Sequence, residues 1–216
     1  YVWQIPIRIF HWVNAACIAV LFTTGLYIAH PVLTGLGEPY EVFVMARFRQ
    51  VHFAAAFVFT ISFLWRIYWF WMGNRYARSG FPFVWRKRWW GDLFRQIGDY
   101  LKLDFGHPHL GHNSLAGLSY TLFAIGLGWV QILTGFALYG EGTGYDSWQY
   151  TLFSSWVIPL FGQSQDVHTW HHAVMWVMIC FVMIHVYVAI REDIMSRQSL
   201  VSTMISGWRM FKDDRP

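Results

Sequence analysis

Charged residues are scarce in this 216-residue chain and are absent from three long stretches. Asp, Glu, Lys and Arg make up 13% of the sequence and hydrophobic residues 56%, whereas soluble domains carry about 25% charged residues. No charge occurs between Arg8 and Glu38, between Asp104 and Glu141, or between Asp166 and Arg191. Each stretch can hold the ~20 apolar residues that cross a bilayer. This pattern excludes a soluble globular domain.

Cysteine is also scarce, with only Cys17 and Cys180 in the chain. Both fall in apolar stretches, where small buried cysteines are common. The motif Cys-x-x-Cys-His does not occur, which excludes a covalently attached c-type haem. The chain has no cysteine pairs that could hold nickel or an iron–sulfur cluster.

The apolar stretches predict an all-α integral membrane protein. A fourth stretch, "VHFAAAFVFTISFLWRIYWFW", is interrupted only by Arg66. Strand-like alternation is absent, so a transmembrane barrel is not indicated. We predict one membrane domain, residues 1–216, with four helices at approximately 9–30, 47–72, 113–139 and 167–191. Segment 82–105 mixes Arg and Lys with Trp and Phe, and is expected to lie along the cytoplasmic headgroups.

Basic residues predict the orientation. With the N-terminus in the cytoplasm, only Arg47 and Arg49 of the sixteen Lys and Arg residues lie outside. Loop bias of this kind sets topology, so both termini are expected inside. The net charge of +4 then fits anionic lipid headgroups and gives no reason to invoke nucleic acid. The first residue is Tyr1, not Met, and we expect a short segment to precede it.

The last apolar stretch contains three histidines, although titratable side chains are rare in hydrocarbon unless they have a function. His171 and His185 are separated by fourteen residues, which leaves them ~40° from facing the same way and ~21 Å apart along a helix axis. His172 lies nearly opposite His185. His171 and His185 therefore belong to one buried stripe, and His172 is expected to face a neighbour or the headgroups.

Two other predicted helices each offer a histidine at a matching depth. His11 lies level with His185 near the cytoplasm, and His52 lies level with His171 near the outer surface. Two axial imidazoles saturate haem iron, and helix bundles build cofactor sites from facing side chains. The four histidines predict two b-type haems, stacked across the membrane.

Three further residues are candidate neighbours of these haems. Gly25 follows His11 by fourteen residues, so it faces the outer level, where a macrocycle needs room; close helix packing is the alternative. Arg66 follows His52 by fourteen residues, and Arg8 precedes His11 by one turn. Either arginine could pair with a propionate or extend to the headgroups. A zinc site or proton pathway would normally include intramembrane carboxylates, and the predicted spans contain none.

Specific motifs carry a resemblance to a known family. "RIFHWVNAACIAVLFTTG" (8–25) and "HTWHHAVMWVMICFVMIH" (168–185) resemble the two signatures of the b-type cytochrome subunit of membrane-bound [NiFe] hydrogenases. "GNRYAR" and "YVAIREDIMS" are similar to that family too. The superfamily includes the gamma subunit of formate dehydrogenase, with the same four-helix, two-haem plan. Its second signature permits Arg or His after the first ligand, which again makes His172 the non-ligand.

The resemblance implies a function. Hydrogenase small and large subunits outside a prokaryotic inner membrane would split hydrogen, and this chain, contacting mainly the small subunit, would pass the electrons to quinone. By the resemblance, His52 and His171 hold the outer haem, and His11 and His185 the inner one. Without cysteine pairs, the chain cannot activate hydrogen itself. The alternatives are the same role for another dehydrogenase, such as formate dehydrogenase, a free-standing dihaem cytochrome b, or a transporter without haem.

The quinone, menaquinone or ubiquinone, is expected on the cytoplasmic side. The loop "FGHPHLGHNSLAG" enters the third helix there. His112 and Asn113 could hydrogen-bond a quinone carbonyl, and Asn113 resembles an asparagine that contacts quinone in formate dehydrogenase gamma subunits. Asn113 is equally suited to cap the helix.

The helical phase predicts distinct effects of histidine substitutions. Replacing His11 or His185 with Ala should remove one of two haems, whereas replacing His172 should leave both. The haem-to-protein ratio and the reduced-minus-oxidised spectrum measure this. If His172→Ala empties a site and His171→Ala does not, the phase argument is wrong.

Overall fold

The computed structural model describes residues 1–32, 43–82, 84–102, 114–195 and 199–210, and in these residues the backbone forms helices and turns without strands. The chain divides into two compact units, residues 9–69 and residues 1–8 with 70–216. The helices are α1 (Ile5–Ala29), α2 (Val44–Met72), α3 (Lys87–Lys102), α4 (Ser114–Thr143), α5 (Tyr150–Phe161), α6 (Ser164–Met195) and α7 (Leu200–Ser206).

Helices α1, α2, α4 and α6 are long and apolar enough to cross a membrane, which confirms the prediction of four spanning helices. Large apolar side chains point outward from them; Ile61 is 66% exposed and Tyr187 64% exposed. Such exposure suits lipid rather than water. The helices extend three or four residues beyond several predicted ends, because helical backbone continues through polar residues at the ends of the apolar runs.

In the unit of residues 9–69, α1 and α2 pack as an antiparallel pair. Tyr27 stacks on Phe48 with ring centroids 3.8 Å apart. Near the other end of α1, the Asn14 side-chain amide donates to Ser62 Oγ (2.6 Å) and to the Phe10 carbonyl (2.7 Å). A polar contact between helices is favourable in lipid because no water competes for it.

In the other unit, α4 packs against α6 and against the short helix α5. Ser154 of α5 is fully buried and donates to the Ala137 carbonyl of α4 at 2.6 Å. Gly140 permits this approach, because a Cβ there would lie 2.5 Å from Ser154 Oγ and 2.8 Å from the Gln149 carbonyl. The helices predicted from the sequence, 113–139 and 167–191, do not include this region.

The first part of α4 contains a π-helical stretch, Tyr120–Gly126. Gly117 precedes it, and a Cβ at Gly117 would lie 3.3 Å from the Gly80 carbonyl. The Thr121 hydroxyl donates to that same carbonyl at 3.0 Å. The loop after α2 is therefore held directly against the backbone of α4. Wide turns of this kind occur frequently at functional sites.

The N-terminal residues lie against the turn after α7. Gly207 adopts φ = 82°, a conformation that side chains disfavour. Its carbonyl accepts from the amides of Val2 (2.8 Å) and Trp3 (3.2 Å). The Tyr1 and Trp208 rings are 5.3 Å apart. These contacts join the two ends of the described chain.

The predicted amphipathic segment 82–105 contains a shorter helix, α3, at Lys87–Lys102. Turns precede it at residues 84–85, so the segment is not helical throughout. Leu93 is buried, whereas Trp90, Phe94 and Ile97 form an exposed apolar stripe. We retain the membrane surface as the expected neighbour of this stripe.

Gly140 and Gly142 offer a matched test of the α4–α5 packing. Gly140→Ala should lower stability by about 1–3 kcal/mol because the added methyl group overlaps α5. Gly142→Ala meets no atom within 4 Å and should be neutral or slightly stabilising. Thermal denaturation of the two variants in detergent measures the difference. Equal midpoints would contradict the observed packing.

Candidate functional site

The four candidate histidines lie on three helices and in both units. His11 on α1 and His52 on α2 belong to residues 9–69, and His171 and His185 on α6 belong to the other unit. Within either unit, the described residues contain no group of three or more His, Cys, Asp or Glu side chains that could hold a metal ion.

His52 is held by a threonine of the neighbouring helix. Thr24 Oγ1 lies 2.8 Å from His52 Nδ1 and 2.7 Å from the Val20 carbonyl, one turn back on α1. A hydroxyl has a single proton, and the short contact with the carbonyl requires that proton between the two oxygens. Thr24 therefore accepts from His52 Nδ1–H, and His52 Nε2 carries the lone pair.

His171 has the same arrangement in the other unit. Thr134 Oγ1 on α4 lies 2.7 Å from His171 Nδ1 and 2.6 Å from the Val130 carbonyl. The hydroxyl proton again goes to the carbonyl, so His171 also has its proton on Nδ1 and its lone pair on Nε2. Gln131 donates to the His171 carbonyl at 2.9 Å and holds the α6 backbone at this level.

Gly135 gives the His171 ring the space that it occupies. A Cβ at position 135 would lie 3.2 Å from His171 Cε1, which is tighter than ordinary van der Waals contact. Glycine at position 135, next to Thr134, therefore leaves room on α4 for the imidazole ring. Any larger side chain there would displace the ring or the helix.

His172 lies differently from His171. Its Nε2 accepts a hydrogen bond from Trp176 Nε1 at 3.1 Å, one turn along the same helix. The Nε2 lone pair is thus engaged in a local contact. This geometry agrees with the helical phase, which separates His172 from the stripe of His171 and His185.

His185 lies beside a stack of aromatic rings. Phe181 is 6.1 Å from His185 and nearly parallel to it. Phe181 stacks in turn on Phe123, with centroids 5.3 Å apart and planes 9° apart. Phe123 belongs to the π-helical stretch of α4, so that irregular turn positions a ring next to the His185 helix.

His11 lies on α1 in a region rich in aromatic side chains. It is edge-on to Trp12, with centroids 5.0 Å apart. Phe10 contacts Phe63 of α2, and the Arg66 guanidinium lies 5.9 Å over the Phe10 ring. Arg66 is only 6% exposed, so it does not extend to the surface.

The other residues predicted to surround the haems or the quinone are Arg8, Gly25, His112 and Asn113. Arg8 Nη1 donates to the Ile205 carbonyl of α7. Gly25 follows Thr24 directly on α1 and is half-buried. His112 and Asn113 lie outside the described residues; α4 begins at the next position, Ser114.

Thr24 and Thr134 are not among the residues predicted from the sequence. Both are followed by glycine, which is a weak signal, and a threonine in an apolar helix usually bonds only its own backbone. Only the packing of α1 on α2, and of α4 on α6, reveals that each hydroxyl also meets an imidazole.

The fit to haem can be judged from these contacts. Neutral imidazoles ligate haem iron through a nitrogen lone pair. In His52 and His171 the lone pair is on Nε2, and the hydrogen bond at Nδ1 fixes the ring. The residues fit the group.

Comparison with known proteins points the same way. Residues 2–207 match the family model described as prokaryotic cytochrome b561. The chain is 52% identical to a probable Ni/Fe-hydrogenase B-type cytochrome subunit of Azotobacter vinelandii, with 100% of this chain and 90% of that protein covered. It is 48% identical to the protein of that name in Cupriavidus necator, covering 99% and 88%. A probable Ni/Fe-hydrogenase 1 B-type cytochrome subunit of Escherichia coli is 41% identical, covering 98% and 91%.

Proposed function

This chain belongs to the prokaryotic cytochrome b561 family, and from that premise we propose that it conducts electrons from a periplasmic [NiFe] hydrogenase to membrane quinone. It also anchors the hydrogenase to the bilayer. The observation that carries the proposal is the shared presentation of His52 and His171, each with Nδ1 hydrogen-bonded to a buried threonine. The names of the relatives support the hydrogenase as the electron donor.

In this proposal the four histidines would hold two haems b. His52 and His171 would hold the haem nearer the outer surface, and His11 and His185 the one nearer the cytoplasm. When bound by two imidazoles, haem iron supplies reversible one-electron transfer without an open coordination position. On α6 the two ligand positions are ~21 Å apart along the axis, which covers much of the ~30 Å hydrocarbon core.

In this proposal the residues around the histidines exclude water from the haem sites and balance the charges of the haem propionates. The spanning helices are predominantly apolar, and the buried Asn14, Thr24 and Thr134 each bond a backbone carbonyl of their own helix. Arg66 is buried, and a haem propionate would balance its charge. Arg8 uses one of its five N–H groups on Ile205 and keeps others for a propionate. Gly25 leaves room for the macrocycle at the outer level.

A partner must perform the hydrogen chemistry. The whole sequence has two cysteines, Cys17 and Cys180, one on α1 and one on α6. They cannot provide the thiolates that nickel or iron–sulfur clusters require. The hydrogenase large and small subunits supply those centres, and the small subunit makes the main contact at the outer ends of the helices, including the region of α5.

In the proposed orientation, electrons move inward against the membrane potential. Both termini and the basic segment with α3 lie in the cytoplasm, and the protein resides in the cytoplasmic membrane of a prokaryote. An electron moving inward crosses a potential that is negative inside, at about 2.3 kcal/mol per 100 mV for a full crossing. Quinone reduction near His11 and His185 takes its protons from the cytoplasm.

Other electron donors remain as competing functions. A formate dehydrogenase would use the same four-helix, two-haem plan, and a free-standing cytochrome would need no partner. The relatives are named as subunits of Ni/Fe hydrogenases, which favours hydrogenase over both. Which dehydrogenase donates the electrons depends on the surface where it docks on this chain, not on the haem ligands.

Hydrogen-driven reduction tests the proposal. The chain, purified from its native membrane in mild detergent, should carry with it a nickel-containing heterodimer. Hydrogen should then reduce its haems, whereas the chain freed of that heterodimer should respond only to dithionite. Formate-driven reduction without a response to hydrogen would assign the chain to a different dehydrogenase. Isolation without any partner would support a free-standing cytochrome.

Asn113 and His112 are the proposed quinone contacts. Asn113→Leu should slow haem reoxidation by quinone and leave reduction by hydrogen intact, because it removes the amide that meets a quinone carbonyl. Asn113→Ser is the matched control, since serine retains the ability to cap α4. Slow reoxidation in both variants supports the quinone contact. Normal reoxidation in the serine variant alone would show that Asn113 only caps the helix.

A further inference from the structure

Thr24 and Thr134 form two equivalent contacts in separate units of the chain. Each threonine lies on an apolar helix, is at most 6% exposed, and directs Oγ1 to the Nδ1 of a histidine on the adjacent helix. Each is followed by a glycine. The same histidine–threonine contact therefore occurs twice. Packing alone gives no reason for both histidines to meet a threonine hydroxyl through Nδ1.

The direction of these hydrogen bonds follows from the third atom in each contact. The Val20 and Val130 carbonyls lie 2.7 and 2.6 Å from the threonine oxygens. If the hydroxyl proton pointed to the imidazole, two oxygen lone pairs would face each other at that short distance. The proton is therefore committed to the carbonyl, and the threonine oxygen can only accept from the histidine.

From this geometry we infer that Thr24 and Thr134 are positioning residues that select the Nδ1–H tautomer of His52 and His171 and tune the haem that those histidines share. The inference rests on the proposed function. A hydroxyl oxygen is a neutral acceptor, so it orients the ring without drawing the proton away. Outer partners of this kind fix ring orientation and raise ligand basicity.

The redox consequence has a definite sign. A more basic imidazole stabilises ferric iron more than ferrous iron, because the higher charge gains more from electron donation. Losing the threonine acceptor should therefore shift the midpoint potential of this haem to a more positive value. Loss of such a partner typically weakens binding of the metal centre about 10–100-fold.

Thr23 provides a matched control beside Thr24. Its hydroxyl donates to the Ala19 carbonyl at 2.9 Å, again one turn back on α1. It is exposed, and its described hydrogen bonds go to backbone carbonyls. Thr23→Val thus removes the same backbone contact as Thr24→Val without touching a histidine.

The experiment uses the purified holoprotein and the variants Thr24→Val, Thr134→Val, Thr23→Val and the serine replacements of Thr24 and Thr134. Redox titration followed in the visible spectrum, together with the haem-to-protein ratio and the electron paramagnetic resonance of the ferric haems, gives the readouts. Both valine variants at 24 and 134 should shift the same one of two titrating components positively, or lower its occupancy. Serine, which keeps the hydroxyl, should restore the wild-type values, and Thr23→Val should match wild type.

Three outcomes would overturn the inference while leaving the wild-type cytochrome intact. The first is equal behaviour of Thr24→Val, Thr134→Val and Thr23→Val. The second is a failure of serine to restore what valine removes, which would assign the effect to the methyl group. The third is a shift of different components by the two valine variants, because the two histidines would then not share a haem. Wild-type protein that binds no haem would instead overturn the proposed function itself.

Discussion

An imidazole inside a membrane has two ring nitrogens, and the candidate site depends on which neighbour each nitrogen meets. Water is absent, so a lone N–H or lone pair has a free-energy cost of several kcal/mol. For His52 and His171, a threonine oxygen accepts a hydrogen bond from Nδ1–H, which leaves the lone pair on Nε2. For His172, the Trp176 indole occupies Nε2 instead. The same side chain thus has its Nδ1 proton bonded in two cases and its Nε2 lone pair bonded in the third.

Two irregular features of the fold lie beside the histidines of α6. Gly135 is small because the His171 ring passes beside it. The π-helical stretch of α4 carries Phe123. Its ring stacks on Phe181, and Phe181 in turn lies against His185. A regular helix with larger residues would pack without difficulty in lipid. In both places the departure from that simple solution brings a side chain or an open space next to a histidine of α6.

Helical phase could be predicted because it is local. The 3.6-residue period alone separates His171 from His172, and the described contacts of the two rings agree with that separation. The scarcity of charge similarly predicted four spanning helices, one of them interrupted by Arg66, since hydrocarbon thickness sets a minimum apolar length. Helix α5 could not be found in this way. Its apolar run is short, and it exists because Ser154 and Gly140 let it pack against α4, a contact between residues distant in sequence.

The sequence by itself determined the class of protein, the number of spanning helices and the stripe of histidines on α6, because hydropathy and helical period act over neighbouring residues. It also carried the motifs by which the family could be named. Tertiary structure alone decided the tautomer of His52 and His171. A hydroxyl proton goes to the nearest strong acceptor, and which imidazole then meets the remaining oxygen depends on how α1 packs on α2 and α4 on α6.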